Sequence, residues 1–385
     1  MIGSRPLAAA TFVLCLASGS RADPGLAEAE WQPGSSNVEP ASEAAPEPRD
    51  ESSLDPARRA LDTAVAVGPG ALVHGAGHVA AGRSDTGRRL ALTQAAGLGT
   101  MVGGLAGLAV TGASRYLVGP LALAVIAGGG LFFLPWAADV YGTVAYPEGS
   151  GAAPRYAPLL VSELGHRYVY DPQFRYRHFL VESVDLRLSA FRLAASGWFA
   201  LDDEHARVRV LGGYRLSGPR PTEAAADGSF VDLEAALTQH RFDSDGFRVT
   251  TGEVSLNARR DLARWDAALT GSFVEGGFGL GLQRFEYRVP GMEIEPDIND
   301  LLLARFAFGF YLGRGESSGE AQLFYDHRHD DYAAGLKLPG LGSGVAGHLG
   351  FDARWFWGHW GLRAEGQVGS AWVGGASFLF RQGVR

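Results

Sequence analysis

The C-terminal part of the chain alternates between apolar and polar side chains with a period of two. Between residues 344 and 357 the odd positions are apolar or small, whereas the even positions include His348, Asp352 and Arg354. After a Gly-His turn at Gly358 the alternation resumes. A period of two is typical of a β-strand with one apolar and one polar face. One such strand also fits a soluble sandwich, so the number of repeats has to distinguish a sandwich from a barrel.

Similar segments recur from residue 158 towards the C-terminus, separated by turn-forming residues. They predict about twelve antiparallel strands that close into a transmembrane β-barrel over residues 153–385. The predicted strands cover residues 158–170, 178–201, 205–217, 229–242, 247–259, 263–274, 277–288, 301–313, 318–329, 344–357, 359–367 and 371–381. The second segment changes phase near Ala190, which predicts a bulge.

The connections predicted between these strands alternate between short and long. Short connections fall at 201–204, 243–246, 275–276, 314–317 and 358, and long ones at 217–228, 289–300 and 330–343, while the connection at 260–262 breaks the rule. Membrane barrels have short turns on the periplasmic side and longer loops outside. The alternation therefore predicts an even number of strands with both termini in the periplasm.

Tryptophans lie near the ends of several predicted strands. Indole rings favour the boundary between lipid and water. We expect the interface anchors to be Trp198, Trp265, Trp355, Trp357 and Trp360.

The polar faces of the predicted strands carry charges of both signs. The residues predicted to line the lumen are Arg187, Arg207, Arg209, Arg215, Glu253, Arg259, Asp266, Arg305, His348, Asp352, Arg354, Arg363 and Glu365. Opposite charges can pair across a narrow lumen, so these residues either line a small pore or brace a filled interior. Arginine predominates in several central strands, and an open pore would therefore prefer anions.

The N-terminus has the pattern of an export signal. Residues 1–22 combine Arg5, a short apolar run and small residues near position 22, which predicts a cleaved signal peptide. The only cysteine, Cys15, lies inside it, so the mature protein would contain neither disulfides nor thiols. Residues 23–56 are rich in Pro, Ala, Ser and Glu, and they predict a disordered acidic linker.

Residues 57–150 predict a helical hairpin. Pro56 suits the first turn of a helix, and the apolar segments 90–112 and 117–144 are each long enough to span a bilayer. Gly103 and Gly107 form a small-xxx-small pair that allows two helices to approach closely. Three consecutive glycines and a proline predict a kink or break in the second helix. A buried helical pair in a soluble domain is the alternative.

Several side chains invite a chemical interpretation but lack a supporting motif. His74 and His78 could share a helix face and bind a metal, yet glycines separate them and no third ligand is near in sequence. In a predicted outer loop, the run from His327 to Asp331 could supply a base and an acid, but no serine nucleophile is tied to it. We therefore predict no catalytic residues, no metal site and no cofactor.

Composition excludes some classes of function. The net charge of −8 provides no basic surface for nucleic acid, so no nucleic-acid partner is predicted. The chain contains 54 glycines, which suit the turns and close strand contacts of a barrel.

The last 230 residues or so resemble bacterial outer-membrane β-barrel proteins as a class. This class carries a C-terminal assembly signal of the form Gly-x-x-hydrophobic-x-aromatic, which Gly375, Phe378 and Phe380 match. The match departs from the class in two ways, because five residues follow Phe380 and Val373 stands where a polar residue is common. The resemblance implies folding by the barrel-assembly machinery and contact with membrane lipids.

These observations predict an integral outer-membrane protein of a Gram-negative bacterium. It would act as a narrow, porin-like channel for small solutes or as a structural envelope protein. An outer-membrane lipid-modifying enzyme and a soluble or inner-membrane-anchored β protein are the alternatives. The hairpin could bind a second copy or another protein, and it could block the barrel, flank it or lie in another membrane.

Overall fold

The computed structural model describes residues 56–112, 114, 116–146, 149–171, 177–221, 223–242, 246–287, 295–328, 332 and 347–383. The predicted signal peptide and, apart from Pro56, the predicted linker lie outside these residues. The described chain forms a helical region followed by a β-barrel.

In the described residues four α-helices precede the barrel: α1 (Pro56–Val67), α2 (Ala76–Ala80), α3 (Ser84–Val110) and α4 (Val118–Ala145), with a 3-10 turn at Pro69–Ala71. The predicted hairpin is confirmed, because α3 and α4 are both long and apolar enough to cross a membrane. Of the predicted kink or break in the second apolar segment, the break is wrong, because α4 continues through its three glycines and has Pro135 inside it. Gly128 and Gly130 provide contact surfaces, whereas Gly129 faces open space.

Close packing of glycines joins α3 to α4. A Cβ atom on Gly97 would come within 2.5 Å of the backbone of Leu131, and one on Gly128 within 2.4 Å of the backbone nitrogen of Met101. The predicted Gly103–Gly107 pair is not the contact, because Gly103 faces open space. The 3.6-residue period turns Gly103 away from α4, while Gly97 and its neighbours on the same face meet the partner helix.

The barrel consists of twelve strands: β1 (Leu160–Tyr170), β2 (His178–Leu188), β3 (Phe191–Ala200), β4 (Ala206–Ser217), β5 (Phe230–Arg241), β6 (Arg248–Asp261), β7 (Ser272–Glu286), β8 (Asp297–Arg314), β9 (Ser317–Asp326), β10 (His348–Trp357), β11 (Trp360–Val368) and β12 (Trp372–Gln382). Each strand is antiparallel to its neighbours, and β12 pairs with β1 to close the barrel. The predicted fold class and strand number are confirmed.

Two errors in the predicted strands cancel in the total. The segment 178–201 is two strands joined by a turn at Ser189 and Ala190, with Ser189 at a φ of 56°. The phase change near Ala190 thus marks a hairpin and no bulge. The predicted strand 263–274 is largely a connection with two short 3-10 turns, each begun by an aspartate, Asp261 or Asp266, that accepts a backbone N–H.

These errors change which connections share an end of the barrel. We call the end that holds the N-terminus of β1 and the C-terminus of β12 the terminal end, and the opposite end the distal end. The terminal end carries the connections at 189–190, 218–229, 262–271, 315–316 and 358–359. The connections at 201–205 and 242–247 lie with the longer ones at the distal end. The predicted separation of short from long connections is therefore wrong in the middle of the chain, because one missed turn inverts the strands that follow it.

The helical hairpin packs against the outside of the barrel. Phe308 of β8 faces outward and is buried against Leu90 and Tyr141 of the two long helices. Tyr141 also stacks on Phe310, and its hydroxyl donates to the Thr270 carbonyl at 2.9 Å. We call this contact the helix–barrel junction. It places the hairpin beside the barrel, so that none of the described helices lies in the lumen.

The outward faces of the strands form an apolar surface. Exposed side chains on this surface include Leu164, Leu193, Val210, Leu237, Val254, Leu280, Leu323, Phe351, Leu362 and Phe378. The inward faces carry most of the charged residues, which is the inverse of a soluble barrel. A closed barrel with an apolar exterior and a polar interior is the architecture of membrane β-barrels.

Candidate functional site

The barrel interior is the candidate site, because the inward faces bring together charges that are far apart in sequence. All but one of the predicted lumen residues lie on strands and point inward. They are Arg187, Arg207, Arg209, Arg215, Glu253, Arg259, Arg305, His348, Asp352, Arg354, Arg363 and Glu365. The prediction for Asp266 is wrong, because its carboxylate lies in the β6–β7 connection and accepts a hydrogen bond from Thr86 of α3 at 2.8 Å.

One ionic cluster spans the seam where β12 meets β1. Arg363 binds Asp352 at 2.5 Å, Glu163 at 2.8 Å and Glu365 at 2.8 Å. Arg167 is almost fully buried beside the same carboxylates and pairs with both Glu163 and Glu365. Because the partners lie on three strands, β1, β10 and β11, the cluster links the two ends of the barrel chain across its closure.

A second cluster centres on Arg259. Its guanidinium contacts Glu275 at 2.5 Å and Glu320 at 2.9 Å, and it lies 3.8 Å from the centre of the Phe273 ring. Glu320 also binds Arg354 at 2.5 Å. A buried charge is stable only when opposite charges and hydrogen bonds replace its lost water. Arg259 and Glu320 both meet this condition, because each binds two groups of opposite charge.

The remaining strands repeat the same arrangement. Arg192 binds Asp185 at 2.8 Å and also pairs with Glu234. Arg215 binds Asp232 at 2.8 Å. Further pairs join Arg209 to Glu253 and Arg328 to Glu253.

Sequence analysis missed several of these partners. Glu163 and Arg167 of β1, and Arg192 of β3, were not among the predicted lumen residues. The period of two along β1 could have found the first two, since Glu163, Gly165 and Arg167 share a face. Arg192 lay within the segment interpreted as one long strand, where its face could not be assigned.

An apolar cluster lies at the distal end of the lumen, and we call it the distal cluster. Its core consists of Val169, Phe179, Val181, Tyr332, Ala371 and Val373, with Trp198 packed against it. The Tyr332 ring stacks on Trp198 at 5.1 Å, and its hydroxyl lies 2.9 Å from Nε2 of His205. His205 in turn lies 2.7 Å from Nε2 of His240 on β5. Aromatic and apolar side chains thus narrow the lumen at this level, on the side from β12 to β5.

Burial keeps His205 neutral. Its side chain is 1% exposed, and it lies in the β3–β4 connection outside the strands. Burial lowers the pKa of His205 from 6.5 to about 4, with nearby Arg207 acting in the same direction and Asp203 opposing it. The imidazole therefore serves as a hydrogen-bonding member of the distal cluster.

Described residues also cover the terminal end. Residues 149–159 cross this end, where Ala152 donates to the Gly313 carbonyl at 3.2 Å and Ala225 donates to the Arg155 carbonyl at 2.6 Å. Although burial alone would raise it, hydrogen bonds from Ser229 and Arg264 hold the pKa of Asp227 below its ordinary value. This charge helps to fix the 218–229 connection across the opening.

The inward faces also line a polar cavity of about 690 Å³ that is partly open to solvent. Most of the charges around it are paired at close range. Arg187 and Arg305 have looser pairs, with Asp185 at 3.7 Å and Glu275 at 3.9 Å respectively. The cavity therefore offers its cationic groups, more than its carboxylates, to an incoming solute.

The predicted interface anchors divide into two groups. Trp355, Trp357 and Trp360 point outward beside the terminal-end turn at Gly358. Trp198 points inward to the distal cluster, and Trp265 lies in the β6–β7 connection beside the helices. The anchor prediction is wrong for Trp198, because a misassigned strand placed it on the outward face. For the other four residues the anchor role stays a prediction.

The predicted assembly signal lies on β12. Phe378 is exposed on the outward face, Phe380 packs edge-on against Trp360 at 5.1 Å, and Arg167 fills the space above Gly375. Arg381, which follows the aromatic residue, is buried and donates to the carbonyls of Glu316 and Gly358. The extension beyond Phe380 is therefore partly built into the terminal end.

His74 and His78 are both buried in the helical region. Nδ1 of His78 lies 2.6 Å from Asp139 of α4, which also accepts the backbone N–H groups of Gly75, Gly77 and His78. Asp139 thus fixes the glycine-rich turn against α4. Over the described ranges no group of three or more His, Cys, Asp or Glu residues could hold a metal ion.

The outer-loop candidates have structural roles where the structure describes them. Nδ1 of His327 lies 2.9 Å from the Tyr325 hydroxyl, and Asp326 accepts the backbone N–H of Arg328. His329, Asp330 and Asp331 lie outside the described residues. The described part of this run consists of His327 and Arg328, and it contains no serine that a histidine could activate.

Solved outer-membrane proteins share the barrel architecture. No protein-family model matches the chain, and no curated protein matches it. The Acinetobacter baumannii outer membrane protein Omp33 is 11% identical, with 58% of this chain and 98% of that chain covered and a TM-score of 0.29. The translocator domain of the autotransporter NalP from Neisseria meningitidis is 13% identical, with 58% and 87% covered and a TM-score of 0.33.

The β domain of the Bordetella autotransporter Brka is 16% identical, with 58% of this chain and 99% of that chain covered and a TM-score of 0.30. Scores at this level carry no argument. The description of this chain as a membrane β-barrel rests on its own closed topology and apolar exterior.

Proposed function

We propose that the protein is a structural barrel of the Gram-negative outer membrane, closed to solutes at neutral pH, that holds a pair of membrane-spanning helices at its side. The observation that carries this proposal is the occupied interior. Paired charges line the middle of the lumen, the distal cluster narrows one end and residues 149–159 cross the other. An open porin instead keeps a water-filled path between its mouths.

The orientation follows from the same class of proteins. Both ends of the barrel chain lie at the terminal end. In outer-membrane barrels with an even strand number the termini lie in the periplasm, so we assign the terminal end to that side. The export signal and recognition of the last strand by the barrel-assembly machinery belong to this proposal.

Planar-bilayer recording tests the closed barrel. Purified full-length protein should give no resolvable single-channel current at pH 7, because apolar side chains narrow the lumen and residues 149–159 cross its terminal end. The double variant Trp198→Ala with Tyr332→Ala should conduct, since it removes two stacked rings from the distal cluster. Phe351→Ala, which truncates an aromatic residue on the outward face, is the control and should stay silent.

A narrow anion channel is the second candidate. The cavity and the loosely paired Arg187 and Arg305 favour it. Steady wild-type currents with anion selectivity, reduced in Arg305→Gln, would replace the structural proposal with this one. Heat-modifiable gel mobility of the same preparation shows that the barrel is folded, so an unfolded sample cannot be mistaken for a closed one.

A further inference from the structure

Two ionisable side chains interrupt the apolar exterior of the barrel. Glu182 of β2 and His166 of β1 are both exposed on the outward face, and each lies one residue from the centre of its strand. The other charged residues on the outward faces of the described strands lie near strand ends. A charge facing lipid in the middle of the span is unfavourable, so its presence needs a partner.

The structure describes no such partner within the chain. Glu182 makes no ion pair or hydrogen bond with any residue that the structure describes, although β1 and β3 pair with β2 on either side of it. His166 contacts only another exposed histidine on this face, His178, with Nε2 3.1 Å from its Nδ1. The helical hairpin covers β7 and β8 on the opposite side of the barrel, so it cannot supply the partner.

The neighbours in register with the two ionisable side chains differ. The small Ala376 of β12 lies beside His166. Gly197 of β3 lies beside Glu182, and the Phe199 ring covers this glycine. An apolar ring therefore stands next to the exposed carboxylate.

We propose that this face, formed by the outward residues of β12, β1, β2 and β3, binds a second copy of the chain. Two copies in one membrane share their orientation, so their two-fold axis runs along the membrane normal and each residue meets groups at a similar depth. Glu182 and His166 lie two residues apart in register, which is about 7 Å along the strand. The carboxylate of each copy can therefore reach the imidazole of the other.

Charge complementarity selects a second copy over other occupants. The face carries one acid and one base at similar depth, so it is complementary to itself under a two-fold axis. A lipid headgroup would contact the rim of the barrel and not the middle of the strands. The inference rests on the proposed placement in the membrane, and fractionation with heat-modifiable mobility tests that placement separately.

Cysteine cross-linking in intact outer membranes is the first test. Cys15 is the only native cysteine, so single cysteines can be introduced in a Cys15→Ser background. Leu164→Cys, in register with Glu182, should form a disulfide-linked dimer on mild oxidation. Leu280→Cys, equally exposed on β7, is the matched control and should remain monomeric.

Sedimentation equilibrium in detergent micelles gives the strength of the association. Glu182→Gln should weaken dimerisation about tenfold or more, because it removes one member of a desolvated charge pair. Glu286→Gln, the same substitution at the end of β7, should leave it unchanged. The double variant Glu182→His with His166→Glu exchanges the positions of the acid and the base, so each copy can again pair with the other. It should recover the dimer that either substitution alone loses.

Three results would overturn the proposal. They are a wild-type protein that stays monomeric in membranes and micelles, equal cross-linking of Leu164→Cys and Leu280→Cys, and capture of a different membrane protein by Leu164→Cys. In each case, variants that keep heat-modifiable mobility establish that the barrel itself is intact.

Discussion

The barrel interior and the helix–barrel junction stabilise their contacts by opposite means. In the interior, arginines such as Arg259 and Arg363 each bind two or more carboxylates from other strands. At the junction, Tyr141, Phe308 and Leu90 pack by shape, and glycines let α3 and α4 approach each other. The polar cavity allows charges to be retained inside, whereas lipid around the helices leaves van der Waals packing as the main attraction.

Asp139 shows that the same rule holds for a fully buried charge in the described helices. This residue of α4 is fully buried and accepts three backbone N–H groups in addition to binding His78. A carboxylate in an apolar setting thus needs a complete set of donors. The interior of the barrel and the helical region differ in how many charges they hold, and not in how a buried charge is satisfied.

The largest expected effect tests the interior. Glu320→Gln should lower the free energy of unfolding by about 3–5 kcal/mol, because it leaves the buried Arg259 and the adjacent Arg354 with one fewer opposite charge. The midpoint of urea unfolding, followed by heat-modifiable mobility, measures the loss. Glu223→Gln removes an exposed pair with Arg220 and should cost less than about 1 kcal/mol. Equal losses would contradict the role of the interior pairs.

The second prediction concerns the pH dependence of the free energy of unfolding, which we expect to arise from His205 in the distal cluster. The pKa of His205 is about 4 in the folded protein and 6.5 ordinarily, so the unfolded chain binds more protons between these values. Stability should therefore fall as pH decreases from 6.5 to 4, by about 3 kcal/mol in total. Unfolding midpoints across this range measure the slope. His205→Gln should flatten it, and an unchanged slope would assign the dependence to other groups.

The smallest expected effect concerns the contact between α3 and α4. Gly128→Leu should destabilise the helical pair by about 1–3 kcal/mol, because its side chain would meet the backbone of Met101. Gly129→Leu is the matched control, since Gly129 faces open space in the same helix. Limited proteolysis of the helices reports the difference, while heat-modifiable mobility should stay unchanged in both. Loss of barrel mobility in Gly128→Leu would mean that the helices and the barrel unfold together.

Local sequence patterns predicted much of the fold. The period of two identified most strands and put the correct residues on the inward face of β4, β6, β10 and β11, because alternation depends only on neighbouring positions. The long apolar runs likewise predicted α3 and α4. The pattern failed at the Ser189–Ala190 turn, which contains neither Gly nor Pro, and at 263–271, where alternating residues form 3-10 turns.

The sequence by itself determined the alternation of strands and the two apolar helices, since each depends on residues close together in the chain. Only the tertiary structure decided which charges meet, because Arg167 and Glu365 become neighbours when β12 closes onto β1. It also decided that the hairpin lies beside the barrel and that Trp198 points into the lumen. Those outcomes depend on strand register and closure, which bring together residues that no local pattern connects.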